Sequence, residues 1–252
     1  MRLQNKVAVI TGGNSGIGLG IAEEFKKEGA LGAIVGRNSK TLESASALLG
    51  SNFIGIQTDV TKTGDLENIF KETENKFGKL DILVVNAGGA IGSGTLGSVV
   101  DTTEEDYTSM VDLNLKSVFF TVQKALPYLN DGSSIILVAS IAVQKAFGGL
   151  TVYSAAKAGV RSFARTFSRD LLDRNIRVNV LSPGTIETPL FGKLGLPDEA
   201  SIQAKEQFQN LIPIKRLGQK KDMGRVAVFL ASEDSSFILG EEIVADGGVV
   251  NL

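Results

Sequence analysis

Short apolar, β-branched runs recur along the chain at positions 7–10, 33–35, 53–56, 82–85, 135–138, 178–181 and 243–245. They are bounded by Gly, Asp, Asn or Pro, and most lack the polar alternation of a half-exposed strand. Runs of this kind suit strands of a parallel sheet buried on both faces. Between them the apolar residues fall at helical spacing, as in Ile17, Ile21 and Phe25, or Leu66, Ile69, Phe70 and Phe77. Strand–helix alternation from end to end predicts one α/β domain over 1–252, doubly wound, with helices on both faces of the sheet. No internal repeat or Pro/Ser-rich linker marks a second domain.

Two segments break the rhythm. Residues 88–97 are too rich in glycine for a regular element. Residues 183–213 form a long excursion containing Pro189 and Pro197 together with Leu190, Phe191, Leu194, Leu196 and Phe208. Such excursions in compact domains are usually lids or binding loops, so a substrate lid is expected at about 185–213.

Composition narrows the chemistry. A hydrophobic fraction of 43% supports a large core, and 26 basic against 28 acidic residues leave a net charge of −2. That balance carries no footprint for nucleic acid or for a polybasic membrane contact. The chain has no cysteine and no histidine. Thiolate or imidazole metal sites and Ser–His triads are therefore excluded, and no metal is expected. The first residues do not read as a signal peptide, and no apolar run approaches the ~20 residues that span a bilayer. The expectation is a cytoplasmic chain with no membrane contact.

The first predicted strand runs into Thr11-Gly12-Gly13-Asn14-Ser15-Gly16-Ile17-Gly18 and then a helix. Glycines there permit a tight turn and close backbone approach to a pyrophosphate, while the helix N-terminus supplies unpaired N–H groups. No Lys-Ser/Thr follows, which argues against a P-loop kinase or ATPase. Further along, Tyr153 and Lys157 lie four residues apart, with Ser140 closing an apolar run upstream. On a helix that spacing stacks the two side chains on one face, where they can share a pocket. Taken alone, the pair equally suits a surface tyrosine beside a solvated lysine. Without histidine or cysteine, however, acid–base chemistry falls to Tyr, Lys, Ser or carboxylates.

Together these residues resemble the short-chain dehydrogenase/reductase family over essentially the whole chain. The resemblance is carried by Thr-Gly-x-x-x-Gly-x-Gly at 11–18, Asp59-Val60, Asn86-Ala87-Gly88, Asn114, Ser140, Tyr153-x-x-x-Lys157 and Pro183-Gly184. It implies a single Rossmann-type domain with a seven-stranded parallel sheet and a homo-oligomer, dimer or tetramer. By the same resemblance Tyr153 is the general acid in reduction and general base in oxidation. An ammonium within a few ångströms favours phenolate, so Lys157 is expected to lower the Tyr153 pKa; the resemblance adds that Lys157 bonds the nicotinamide ribose, Ser140 donates to the substrate oxygen, and Asn114 holds a water in a proton relay. Gly12, Asn14, Ser15, Gly16, Ile17 and Gly18 would surround the pyrophosphate and ribose. Asp59 and Val60 would flank adenine, with Asn86, Ala87 and Gly88 on the adenosine ribose side. Pro183, Gly184, Ile186 and Thr188 would hold the nicotinamide, although Thr188 equally suits a helix N-cap before Pro189. Gly12, Arg37, Asp59, Asn86, Ser140 and Pro183 mostly follow predicted strands directly, where open α/β sheets bind ligands.

The second strand ends Ile34-Val35-Gly36-Arg37-Asn38, without the carboxylate that bonds the adenosine ribose in NAD-preferring folds. Arg37 can grip a 2′-phosphate bidentately, and neutral Gly36 removes charge repulsion. NADP(H) is favoured, with NAD(H) usable if Arg37 stacks on adenine or faces solvent. The leading expectation is a carbonyl reductase/alcohol dehydrogenase acting on a small or medium ketone or secondary alcohol, with Phe147, Leu190, Phe191 and Phe208 as candidate pocket residues. One alternative is reduction of 3-oxoacyl groups on acyl carrier protein, which needs a basic docking patch; Lys145, Lys193 and Arg216 are candidates. A non-catalytic dinucleotide sensor would have no need of an intact Ser–Tyr–Lys set.

Overall fold

The computed structural model describes residues 1–90, 97–187, 206 and 209–252. The amino-terminal half alternates β1 (Val7–Thr11), α1 (Gly16–Lys27), β2 (Leu31–Gly36), α2 (Ser39–Leu49), β3 (Phe53–Gln57), α3 (Leu66–Phe77) and β4 (Leu80–Val85). Next come α4 (Glu104–Val111), a π-helical turn (Asp112–Lys116) and α5 (Ser117–Ala125), which run on from one another. The remainder is β5 (Leu129–Val138), α6 (Thr151–Asp170), β6 (Arg177–Pro183), α7 (Lys220–Ala231) and β7 (Glu242–Ala245).

The seven strands make one sheet in the order β3-β2-β1-β4-β5-β6-β7, with every neighbouring pair parallel. Side chains alternate across it into two cores. Val9, Val35, Leu83, Leu137 and Val180 face α3, α5 and α6. Ile10, Ile34, Val84, Ile136 and Leu181 face α1, α2 and α7. All five residues of β1 are buried, which is why its sequence shows no polar alternation. On the second face α1 and α7 touch backbone to backbone. A Cβ placed at Gly20 would lie 2.5 Å from Lys220 O, and one at Gly224 would lie 2.6 Å from Gly20 O.

Of the glycine-rich stretch, 91–96 lie outside the described residues, and Gly97 forms an isolated bridge with Leu150. The lid expected at about 185–213 falls largely outside them, including Thr188, Leu190, Phe191, Lys193, Leu194, Leu196 and Phe208. Among the described residues no helix is long and apolar enough to cross a membrane.

Strand order reverses direction between β1 and β4, and at such a point a crevice opens beyond the carboxyl ends of the strands. Thr11 sits at that point, fully buried. Its hydroxyl oxygen accepts hydrogen bonds from the backbone N–H of Asn86 and of Ala87, both at 3.0 Å. Asn86 reciprocates through Nδ2, donating to Thr11 O at 3.0 Å and Gly12 O at 3.2 Å. The loops after β1 and β4 are thereby clasped together. Thr11→Val keeps the shape but strands both N–H groups, so it should cost about 2–4 kcal/mol. Urea unfolding reads this as a lowered midpoint; an unchanged midpoint would show that the clasp contributes nothing.

Candidate active site

The loop after β1 is shaped by close approach. Gly12 adopts φ +65°, and a Cβ there would lie 2.8 Å from Asn86 Nδ2. At Gly18 it would lie 2.2 Å from Gly12 O, so neither position admits a side chain without a shift. Gly13 N donates to Val35 O at 3.1 Å, tying the loop to β2. Ser15 precedes α1 with no side-chain cap bond, leaving the first N–H groups of the helix free of a side-chain acceptor. Those donors, beside the positive end of the helix dipole, fit a pyrophosphate. Asn14 points away from them: its Nδ2 donates to Thr41 Oγ1 at 2.7 Å, and it packs where a Cβ on Gly36 would go. An open cleft of about 570 Å³ lies alongside, bounded by Asn14, Ser15 and Gly16 and by Lys40 and Thr41 of α2.

Arg37 and Asp59 meet beyond β2 and β3. Arg37 is 62% exposed in its side chain, and its Nη1 lies 3.9 Å from Asp59 Oδ2. Asp59 Oδ1 accepts from Thr61 N at 3.0 Å and Thr61 Oγ1 at 2.8 Å. Burial pushes the Asp59 carboxyl up, but those bonds and the Arg37 charge outweigh it, leaving the group below its ordinary value. Val60 turns its side chain into the core, so only its backbone can face a base.

Tyr153 and Lys157 lie in the first two turns of α6, and the Lys157 ammonium is 5.8 Å from the centre of the tyrosine ring. Lys157 is 3% exposed and donates to Val138 O at 2.9 Å, at the end of β5. Burial pulls its pKa down to about 8. Ser140 stands just past that strand in extended conformation; its hydroxyl oxygen accepts from Ala142 N at 3.2 Å and caps the turn Ile141–Val143. Ser140 also acts on the Tyr153 phenol. Burial raises the phenol pKa, and the Ser140 hydroxyl offsets only part of the rise. The expectation that Lys157 holds the phenol below its usual value is not met in this geometry. The ammonium is directed to the Val138 carbonyl, and desolvation of the phenolate dominates.

The π-helical turn carries Asn114 inward to full burial. Its Oδ1 accepts from Gly89 N at 2.9 Å, and its Nδ2 donates to Gly89 O at 3.0 Å and Met110 O at 3.1 Å. A Cβ on Gly88 would lie 2.8 Å from Asn114 Oδ1 and 3.0 Å from Lys157 Nζ. Glycine at 88 thus lets three segments converge. Beyond β6, Gly184 N donates to Ala245 O at 3.0 Å, and Ile186 is buried among α1 and α7 core residues.

The structure therefore gathers Ser140, Tyr153, Lys157, Asn114 and Gly88 in one place. Gly12, Gly18, Asn86 and Ala87 pack against one another next to it, and Ser15 and Gly16 lead into α1, with Ile17 on that helix. Asn14, Val60 and Ile186 direct their side chains elsewhere, into packing or structural bonds. Thr11 and the Val138 carbonyl are supports that spacing alone does not single out; only the position of Thr11 at the head of the loop motif hints at its role. Of the three basic candidates for docking, Arg216 bonds Asp222 at 2.7 Å and Lys145 bonds Val249 O at 3.1 Å, while Lys193 lies outside the described residues. Phe147 is 37% exposed.

Comparison with known proteins agrees with this geometry. The family model described as Enoyl-(Acyl carrier protein) reductase matches residues 12–250. Oxidoreductase asL5 of Sarocladium schorii is 40% identical, covering 100% of this chain and 98% of that protein. The 3-oxoacyl-[acyl-carrier-protein] reductase FabG of Thermotoga maritima is 36% identical over 99% of this chain and 100% of its own length. Among solved structures, a short-chain dehydrogenase/reductase from Serratia marcescens superposes with a TM-score of 0.89 at 30% identity, covering 99% of this chain and 100% of that one. A further one from Brucella melitensis, titled glucose/ribitol dehydrogenase, gives 0.89 at 32% identity over 98% of each chain. With the parallel sheet, the glycine loop and the Ser–Tyr–Lys cluster in family order, the chain belongs to the short-chain dehydrogenase/reductase family of oxidoreductases.

Proposed function

We propose that this enzyme interconverts a ketone and a secondary alcohol, with NADP(H) as the favoured nicotinamide cofactor and NAD(H) usable. The observation that carries the reading is the buried Lys157 bonded to Val138 O, its ammonium 5.8 Å from the centre of the Tyr153 ring, with the Ser140 hydroxyl acting on the same phenol. When bound, the dinucleotide supplies or accepts the hydride. The N–H groups at the start of α1 would hold its pyrophosphate, Arg37 its 2′-phosphate, and Pro183 and Gly184 its nicotinamide end. Ser140 and Tyr153 offer two O–H donors to a substrate oxygen on which negative charge develops. The raised phenol stays protonated at neutral pH, which suits a proton donor in reduction. In oxidation the same oxygen receives the proton, which the raised phenol value favours. Lys157 is mainly charged at pH 7, since about 8 lies above it.

The similarity to a 3-oxoacyl-[acyl-carrier-protein] reductase gives a second reading, reduction of 3-oxoacyl thioesters by the same residues. A homo-oligomer, dimer or tetramer, belongs to the proposal. It is supported by the half-buried aromatic row Phe119, Phe163 and Phe167 on α5 and α6, with ring centroids 5.1–5.8 Å apart.

The test is a panel of cyclohexanone, acetophenone, ethyl acetoacetate and an acetoacetyl thioester, each with NADPH and NADH. Turnover of a ketone supports the first reading, and turnover of the thioester alone supports the second. Tyr153→Phe should lower kcat by about a hundredfold or more while NADPH affinity stays near the parent value. Near-normal turnover in that variant would remove Tyr153 from the chemistry.

Arg37→Ala should raise the KM for NADPH by about tenfold and leave that for NADH little changed, since one charge-assisted phosphate contact is lost. Equal changes for both cofactors would refute the phosphate assignment.

Lys157 gives a prediction about stability. Between pH 8 and the ordinary lysine value of 10.5 the unfolded chain binds the proton that the folded one has released, so stability rises with pH across that window. Below pH 8 both states are charged and burial costs about 3 kcal/mol. Lys157→Met removes that cost but leaves Val138 O without its donor, so a net gain of about 2 kcal/mol is expected at pH 7. The gain should vanish towards pH 10.5, as read by urea unfolding at both pH values. A variant less stable than the parent at pH 7 would contradict this.

A further inference from the structure

Glu242 opens β7, at one edge of the sheet, yet its side chain is only 6% exposed. Three donors close around the carboxylate. Ser182 gives its hydroxyl to Oε1 at 2.6 Å, Gln144 gives its amide to Oε2 at 2.8 Å, and Arg161 Nε lies 2.7 Å from the same oxygen.

Each donor belongs to a segment that carries part of the site. Ser182 immediately precedes Pro183 and Gly184. Gln144 ends the turn Ile141–Val143 that Ser140 caps, its N–H bonding Ile141 O at 2.9 Å. Arg161 lies one helical turn beyond Lys157 and two beyond Tyr153 on α6. The backbone of β7 adds a fourth tie, from Gly184 N to Ala245 O.

We propose that Glu242 is a positioning residue, whose carboxylate sets the spacing between the Ser140 turn, the Tyr153/Lys157 face of α6 and the Pro183–Gly184 loop. The inference rests on the function proposed above and adds to it what holds Ser140 against Tyr153. Charge-assisted bonds are short and directional, so one carboxylate bound three ways leaves the segments little freedom to slide. Without it each segment relaxes separately. Arg161 is 45% exposed and can turn to water, so the variant is expected to fold. A misplacement near 1 Å at a reacting pair costs on the order of a hundredfold, and partial release here should cost about tenfold in kcat.

The test uses the full enzyme with NADPH and the fastest ketone–alcohol pair from the panel above. Glu242→Ala should bind NADPH, followed by cofactor fluorescence, with near-parent affinity and keep its KM for the ketone, while kcat falls about tenfold. The pH at half-maximal alcohol oxidation should also move upward. Ser140 and Lys157 are the groups facing the phenol, and a displaced Ser140 hydroxyl no longer offsets its burial. Glu242→Gln, which keeps one acceptor oxygen and the volume, should recover part of kcat.

Gln144→Ala removes only the arm to the Ser140 turn, and decides the matter if Glu242→Ala does not fold. It should show the same pH shift with a smaller loss, and added to Glu242→Gln it should cost less than the two changes summed. Parent kcat and an unmoved pH profile in these variants would overturn the proposal. So would a loss of rate that matches the loss of folded, NADPH-binding protein. A parent enzyme that neither binds NADPH nor turns over any pair would instead defeat the functional reading, and the positioning role with it.

Discussion

The hydroxyl of Thr11 accepts two backbone N–H groups from the loop after β4, and Asn86 returns two bonds to the loop after β1. Four hydrogen bonds thereby span the place where the strand order reverses, and the geometry of the crevice is set from there. Because the clasp draws Asn86 against Gly12 and Gly18, no side chain fits at either glycine, and the loop can lie only one way before α1. Because it also fixes where Ala87 and Gly88 leave the sheet, Gly88 arrives between Asn114 and Lys157. A continuous path of contacts thus joins the proposed anion-binding end of the crevice to the proposed proton-transfer end.

Much of this was legible in the sequence where burial is symmetric. Strands covered on both faces are rich in apolar residues, and β1, β2 and β4 announce themselves by the apolar runs 7–10, 33–35 and 82–85 within them. The start of β5 did not, because Asn130, Asp131 and Gly132 lie at the end of the sheet remote from the crevice, where helices no longer cover it. The π-helical turn had no marker either. Nothing in Asp112–Lys116 demands an extra residue per turn; what holds it is Asn114 bonding Gly89, twenty-five residues away.

The site divides in the same way. Tyr153, Lys157 and Ser140 were readable because helical spacing and a strand end bring them near one another by local geometry. The direction of their pKa shifts was not, since desolvation depends on what the rest of the chain packs around them. The expectation that lysine would acidify the tyrosine rested on proximity alone, whereas burial acts on both groups and outweighs it. Glu242 was invisible for a related reason. Its partners Ser182 and Gln144 are 60 and 98 residues distant, and a glutamate opening an edge strand reads as a solvated charge.

Burial also has a consequence for the direction in which the proposed proton donor is poised. Phenol and lysine ammonium ordinarily titrate close together, near 10 and 10.4. Here the phenol is pushed up and the ammonium is pulled down to about 8, so the ammonium becomes the stronger acid of the two. With ordinary values the pair is nearly indifferent to where a proton rests; with these values the proton rests on Tyr153. In the proposed chemistry that loads the phenol for donation, and the Lys157 ammonium can return a proton to a phenolate once one forms. The same desolvation that costs folding stability at Lys157 therefore keeps the proton on Tyr153 whenever the pair holds only one. Oxidation has to wait for the phenol to be relieved of its proton, which is why the contact with Ser140, the one interaction that lowers the phenol, matters most in that direction.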